Sequence, residues 1–295
     1  MAFNRHVRAE ESSWAYWQFN EYETQVNDLY WSGYASLSFA SHTVRNLKPP
    51  LTARGALKAT GSDAKRIRTE PAEFIKHHEE FQNWSCASFV MAATGALESY
   101  FQRIVLTALL SDPAVIYGKS KAIDGLVWLK IGIKADHSKT LESVTKGEWT
   151  QRYASIKRLF GEIPDLQTHV SELDKIREFR NGVGHAFGRT LVDEPDLTTR
   201  QTEKMQSIRQ AKFKSWLEVI SKSAKALDLV LVKNHIGDFE PLMHFHAYLA
   251  QLNSGSVPHD RDFINRYRKS LGKAEGHSKG YDYCRGLVEA YDLAS

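Results

Sequence analysis

The run Arg180-Asn181-Gly182-Val183-Gly184-His185 places a permanent cation, an amide and an imidazole within six residues. These groups suit one kind of chemistry. A guanidinium stabilises charge developing on phosphoryl oxygens, and an imidazole with an unperturbed pKa of about 6.5 exchanges protons near neutrality. The amide can orient either group. Leu166, Val170, Leu173, Ile176, Val183 and Phe187 recur at spacings of three, four and seven, the apolar stripe of one helix. Arg180 falls on that stripe, four residues after Ile176 and three before Val183. A charge directed at a buried face needs partners or a task. Gly182 and Gly184 each cost a helix interior about 0.5–1 kcal/mol relative to alanine, and would leave room for a substrate backbone. The bland alternative is a helix end, with Gly182 or Gly184 as C-cap and Arg180 and His185 serving the last carbonyls. Five residues turn an ideal helix by about 140°, so Arg180 and His185 diverge and do not form a simple pair.

The elements that must position this run are helices. Thr69-Glu70-Pro71 reads as a helix start. The stripe Val90, Ala93, Leu97, Tyr100/Phe101, Ile104 and Ala108 predicts a long helix over about 84–110, stopped by Ser111-Asp112-Pro113. Glu98 lies one residue off that stripe. Shorter helices are predicted over 121–130, 138–144 and 148–160, with Gly161 and Pro164 marking the stop before the helix of the run. Residues 190–196 read as a loop. A second long helix over 202–233 turns Met205, Ile208, Trp216, Ile220, Ala224, Leu227 and Leu231 inward, and 238–295 adds three short helices joined near 253–256 and 272–280. No convincing strand, repeat or low-complexity tract is present. The economical architecture is all-α, an antiparallel bundle of long helices.

The N-terminal stretch 10–47 is rich in aromatics and predicts an amphipathic helix with a shorter one, packed as core or, more sharply, offering rings to unpaired bases. From 45 to 68, seven Lys and Arg face only Asp63 among prolines and glycines, which reads as a partly flexible linker or a phosphate-contacting segment. Arg and Lys interleaved with Phe263, Tyr267, Tyr281 and Tyr283 would suit an RNA-facing surface or ordinary amphipathic helices. Three segments follow: 1–72, an aromatic-rich helical extension with a basic linker; 73–235, a helical domain; and 236–295, a basic helical extension.

The Arg180/Asn181/His185 pattern resembles the motif of the HEPN superfamily (higher eukaryotes and prokaryotes nucleotide-binding domains), in which an arginine, usually followed by a polar residue, precedes a histidine by four to six positions. Upstream, Ala96-Leu97-Glu98-Ser99-Tyr100-Phe101-Gln102-Arg103 looks like the long first helix of such domains with its acidic residue. The resemblance covers about 73–233 and implies a HEPN-like antiparallel helical bundle. It also implies a homodimer in which two motifs share one composite cleft, with Glu98 holding Arg180 or orienting His185. One family variant carries an adenylylated tyrosine two residues beyond the histidine; Phe187 stands there instead.

The expected activity is RNA endonucleolysis: the ribose 2′-hydroxyl attacks the adjacent phosphate, leaving 2′,3′-cyclic phosphate and 5′-hydroxyl ends. His185 serves as base or acid, Arg180 as the fixed cation, and Asn181 orients His185 or the phosphate. The alternative is an inactive HEPN-like RNA- or nucleotide-binding module in a toxin–antitoxin or defence complex. By analogy, the biology expected is a bacterial toxin or antiviral effector, with an antitoxin or defence-system protein as possible partner. No metal and no cofactor is expected. Acidic clusters of two-metal type are absent from the sequence, 272–280 lacks the order of a phosphate-binding loop, and His244/His246 and His77/His78 lack zinc spacing. The net charge of +4 permits an acidic partner without demanding one. Two cysteines, Cys86 and Cys284, without metal or disulfide spacing fit a reducing cytoplasm, and no apolar run approaches the ~20 residues of a membrane span or a signal peptide.

Overall fold

The computed structural model describes residues 3–117, 124–186, 207–252 and 257–294, with residues 185 and 186 described by backbone alone. Among the described residues the regular structure is entirely helical. In chain order the α-helices are α1 (Trp14–Arg45), α2 (Ala53–Ala56), α3 (Pro71–Ser111), α4 (Ala114–Tyr117), α5 (Gly125–Ile131), α6 (Ser138–Thr145) and α7 (Trp149–Phe160). They continue with α8 (Pro164–Gln167), α9 (Val170–Ala186), α10 (Gln210–Leu231), α11 (Phe239–Gln251), α12 (Arg261–Glu275) and α13 (Tyr281–Leu293). A 3₁₀ turn, Ser62–Arg66, precedes α3, and a π-helical turn, Val232–Ile236, follows α10.

The long helices agree with their apolar periods. α3 opens at Pro71 and runs unbroken for 41 residues to the stop before Pro113, while Trp216, Ile220, Ala224, Leu227 and Leu231 are buried as their stripe predicts. Ile208 is buried too but precedes α10, which starts at Gln210; residues 207–209, predicted as helix, are not helical. Met205 and the predicted loop 190–196 lie outside the described residues. Several expectations change. The aromatic-rich stretch is one helix of 32 residues, because no proline interrupts it. Only part of its aromatic surface is core: Phe19 and Tyr30 are buried, whereas Trp17, Tyr22 and Trp31 are exposed. The basic stretch before α3 is tied down, with Arg54 donating to the carbonyls of Lys65 and Ile67 at 3.2 and 3.0 Å. Gly161 ends α7 at φ 88° as predicted, but Pro164 opens α8. Gly272 lies inside α12, which stops at the left-handed Gly276.

The chain forms two compact units from non-consecutive stretches, unlike the three consecutive segments distinguished by composition. One collects Met1–Phe19, Leu97–Ser171 and Lys222–Ser295; the other collects Asn20–Ala96 and Glu172–Ser221. In the second unit, Tyr30 packs on Phe213 with ring centroids 4.6 Å apart and accepts a hydrogen bond from Gln210 at 3.0 Å.

The first unit buries charge around the start of α1. The Arg8 side chain, 4% exposed, lies 3.0 Å from a Glu240 oxygen and donates to the carbonyls of Gly237 and Ser12 at 3.2 and 3.1 Å. Asp238 accepts the amide of Ala9, Asp228 those of Ser13 and its hydroxyl, and Glu240 that of Trp14. Three carboxylates thereby satisfy amides at the entry to α1 that the helix leaves unpaired. Gly237 is required beside them. A Cβ there would stand 2.2 Å from the Arg5 carbonyl at a positive φ of 52°.

Burial pushes the carboxyls of Asp228 and Asp238 up, and raises Glu240 to about 7 although Arg8 pulls the other way. A folded pKa above the unfolded one means that the native state holds the extra proton. Stability from this group is therefore full below about pH 4.5 and lost as pH rises through about 7. The loss expected is on the order of 3 kcal/mol. Glu240→Gln should flatten this decline, measured by denaturant unfolding at pH 5 and pH 8; an unchanged decline would exclude Glu240 as its source.

Candidate functional site

Helix α9 carries the Arg180/Asn181/His185 run, and its buried face is the predicted one: Leu173, Ile176 and Val183 are each less than a tenth exposed. Phe179 packs edge-on against Trp216, with centroids 5.1 Å apart. Near the N-terminal end of α9, Glu172 accepts from the Trp216 indole at 2.7 Å, from Lys175 at 3.0 Å and from Lys212. The hydrogen bonds from Lys212, Trp216 and Lys175, in that order of effect, hold its carboxyl down at about 2. Sequence reading passed over Glu172, although acidic residues are favoured in the first turn of a helix. Its contacts with α10 fix the rotation of α9 about its own axis, and with it the direction in which the run points.

Arg180 and Asn181 are brought together. Both are half-buried, and Arg180 Nη1 donates to Asn181 Oδ1 at 3.2 Å. The amide oxygen thus orients the guanidinium, a role distinct from the expected contact with His185 or phosphate. His185 stands four residues beyond Asn181 on the same helix, so the two positions share a face one turn apart. The side chain of His185 lies outside the described residues.

The helix continues through both glycines to Ala186, so neither Gly182 nor Gly184 caps it. Gly184 is exposed. A Cβ there would meet Met91 Cε at 3.6 Å, an ordinary contact, so packing by itself does not demand glycine.

Glu98 has a well-defined partner on α7. Arg152 Nη1 and Nη2 both donate to Glu98 Oε1 at 3.2 Å, its Nε donates to the Gly147 carbonyl at 3.1 Å, and its guanidinium lies 4.8 Å from the Trp149 ring centre. The Arg152 side chain is 5% exposed. Glu98, expected to hold Arg180 or orient His185, accepts from this buried arginine. The amphipathic pattern of α7 concealed this, because Arg152 occupies a core-facing position among Trp149, Tyr153 and Ile156.

The other candidates resolve into packing. His246 Nδ1 pairs with the Tyr291 hydroxyl at 2.6 Å, and Phe263 and Tyr267 in the basic C-terminal stretch are buried core. Cys86 and Cys284 are buried free thiols. Among the described residues no group of three or more His, Cys, Asp or Glu side chains is arranged to hold a metal ion, and no helix is long and apolar enough to cross a membrane. No protein-family model, curated protein or solved structure matches the chain.

Removing one partner of a buried ion pair leaves the other charge uncompensated. Glu98→Ala should therefore destabilise the protein by roughly 3 kcal/mol, seen as a lower Tm, with Glu98→Gln milder. A normal Tm combined with lost activity would instead place Glu98 in the chemistry.

Proposed function

We propose that this protein is a metal-independent RNA endonuclease of HEPN type, acting through Arg180 and His185. The observation that carries the reading is the Arg180–Asn181 pair. A half-buried guanidinium is oriented by the neighbouring amide at 3.2 Å, one helical turn before the register position of His185. Such a pre-oriented cation suits an anionic substrate, because a fixed donor needs no reorganisation as charge develops in the transition state.

In the proposed reaction a base removes the proton of a ribose 2′-hydroxyl, and the freed oxygen attacks the adjacent phosphorus. The bond to the 5′-oxygen breaks, and an acid returns a proton to the leaving alkoxide. The products are a 2′,3′-cyclic phosphate and a 5′-hydroxyl. Arg180 stabilises the phosphoryl oxygens, Asn181 positions Arg180, and His185 moves a proton. Because one imidazole cannot hold and lack a proton at once, base and acid would come from the two copies of a homodimer whose runs face one cleft. The proposed setting is a bacterial cytoplasm, where a toxin or antiviral effector would degrade cellular RNA under the control of a partner protein.

Purified protein incubated with total RNA in excess EDTA should yield 2′,3′-cyclic phosphate ends and leave DNA intact. His185→Ala should reduce cleavage by about 10²–10⁴-fold, and Arg180→Ala by about 10²–10³-fold, with unchanged Tm. Cleavage that requires added magnesium, or that leaves 3′-hydroxyl ends, would refute the mechanism. RNA bound equally by wild type and His185→Ala without cleavage by either would assign a binding module instead.

A further inference from the structure

In the second unit a groove of about 410 Å³ runs along the first turns of α3, walled by Arg66, Arg68, Phe74, His77 and Phe81. Its shape is held from behind. Arg54 grips the carbonyls of Lys65 and Ile67 at 3.2 and 3.0 Å, which sets the basic stretch beside the helix. Phe81 is half exposed and is stacked on Trp84, with centroids 6.0 Å apart and planes 24° from parallel. Phe74 lies against His78 at 5.6 Å. The charges are unequal in availability: Arg66 is paired with Asp63 at 2.9 Å and His77 with Glu80 at 3.1 Å. Arg68 is exposed and makes no hydrogen bond or ion pair with the described residues. An exposed, backed aromatic ring beside an uncommitted guanidinium fits a planar base attached to a phosphate.

Helix α3 also sets the distance to the candidate site. Gly184, in the Arg180/His185 run, packs by Met91 on α3, and Phe81 lies ten residues earlier on the same helix. Ten residues of α-helix span about 15 Å. On an ideal helix Phe81 and Met91 point about 80° apart, so the groove and Met91 lie on adjoining faces of α3. An extended strand cut at the run would cover that distance within a few nucleotides.

We infer that this groove holds an unpaired nucleotide of single-stranded RNA a few positions from the bond that is cut. Phe81 stacks on the base and Arg68 pairs with a neighbouring phosphate. A duplex hides its base faces and is excluded. The inference rests on the ribonuclease reading for the identity of the strand, and adds to it where the strand lies.

The test uses the full chain and a fluorescein-labelled, uridine-rich 2′-O-methyl oligoribonucleotide, which lacks the attacking hydroxyl and cannot be cut. Anisotropy titrations should show Phe81→Ala and Arg68→Glu each weakening binding about tenfold or more, with unaltered melting curves. His185→Ala should bind like wild type, and a duplex of the same sequence should compete poorly. Wild-type affinity in both groove variants, equal competition by duplex, or no binding by wild type would overturn the inference. Cleavage of unmodified RNA, followed in parallel, separates the two proposals. Groove-dependent binding without cleavage refutes the nuclease and leaves the groove assigned; cleavage with groove-independent binding refutes the groove alone.

Discussion

A charge removed from water is costly unless it finds partners inside the protein, and the first unit gathers such partners around the start of α1. Arg8, Asp228, Asp238 and Glu240 are all nearly inaccessible. Arg8 donates to two carbonyls and lies against Glu240, and the carboxylates accept backbone amides and the Ser13 hydroxyl, while Arg8 Nε is buried without a hydrogen bond to the described residues. The amides at the entry to α1 would otherwise be orphaned, and the carboxylates would otherwise be costly to bury. Tyr100 extends the arrangement, its hydroxyl donating to the Ala224 carbonyl at 3.0 Å and to Asp228 at 3.3 Å. Removing any one partner leaves several others exposed to the same penalty, so these residues specify a single packing of α1, α3, α10 and α11 within the unit.

The second unit solves a different problem. Its helix α9 buries Leu173, Ile176 and Val183 while leaving Arg180 half-buried. Burying three residues of one stripe fixes the rotation of a helix, and Glu172 with its contacts to Lys212 and Trp216 reinforces it. Arg180 then emerges half-buried with Asn181 as its acceptor. Partial burial weakens solvent screening around the guanidinium, while Asn181 limits its rotamers without neutralising it.

In the proposed reading, helix α3 connects the run with the groove. The groove residues and Met91, which meets Gly184, lie on one uninterrupted helix, so the spacing between them along its axis is fixed. A rigid helix spaces two recognition elements more accurately than a loop does, because its rise per residue is set by backbone hydrogen bonds. The basic stretch before α3, anchored by Arg54, supplies the cations at one end of that ruler. Sequence-independent phosphate pairing and base stacking would together favour unpaired RNA without selecting a sequence.

Periodicity alone determined the all-α class, the buried faces of α3, α9 and α10, the proline start of α3 and the glycine stop of α7, because backbone geometry imposes those patterns locally. The chemical content of the Arg180/Asn181/His185 run was equally legible, since it lies within two turns of one helix. Tertiary structure decided which charges meet. Glu98 faces Arg152 across more than fifty positions of sequence, and Glu172 reaches Lys212 and Trp216. Asn181 accepts from its immediate neighbour Arg180. It also decided that the basic stretch before α3 is anchored, and that Arg68 and Phe81 share a groove. Periodicity reports which way a side chain points; the identity of its partner depends on long-range packing, which no local pattern encodes.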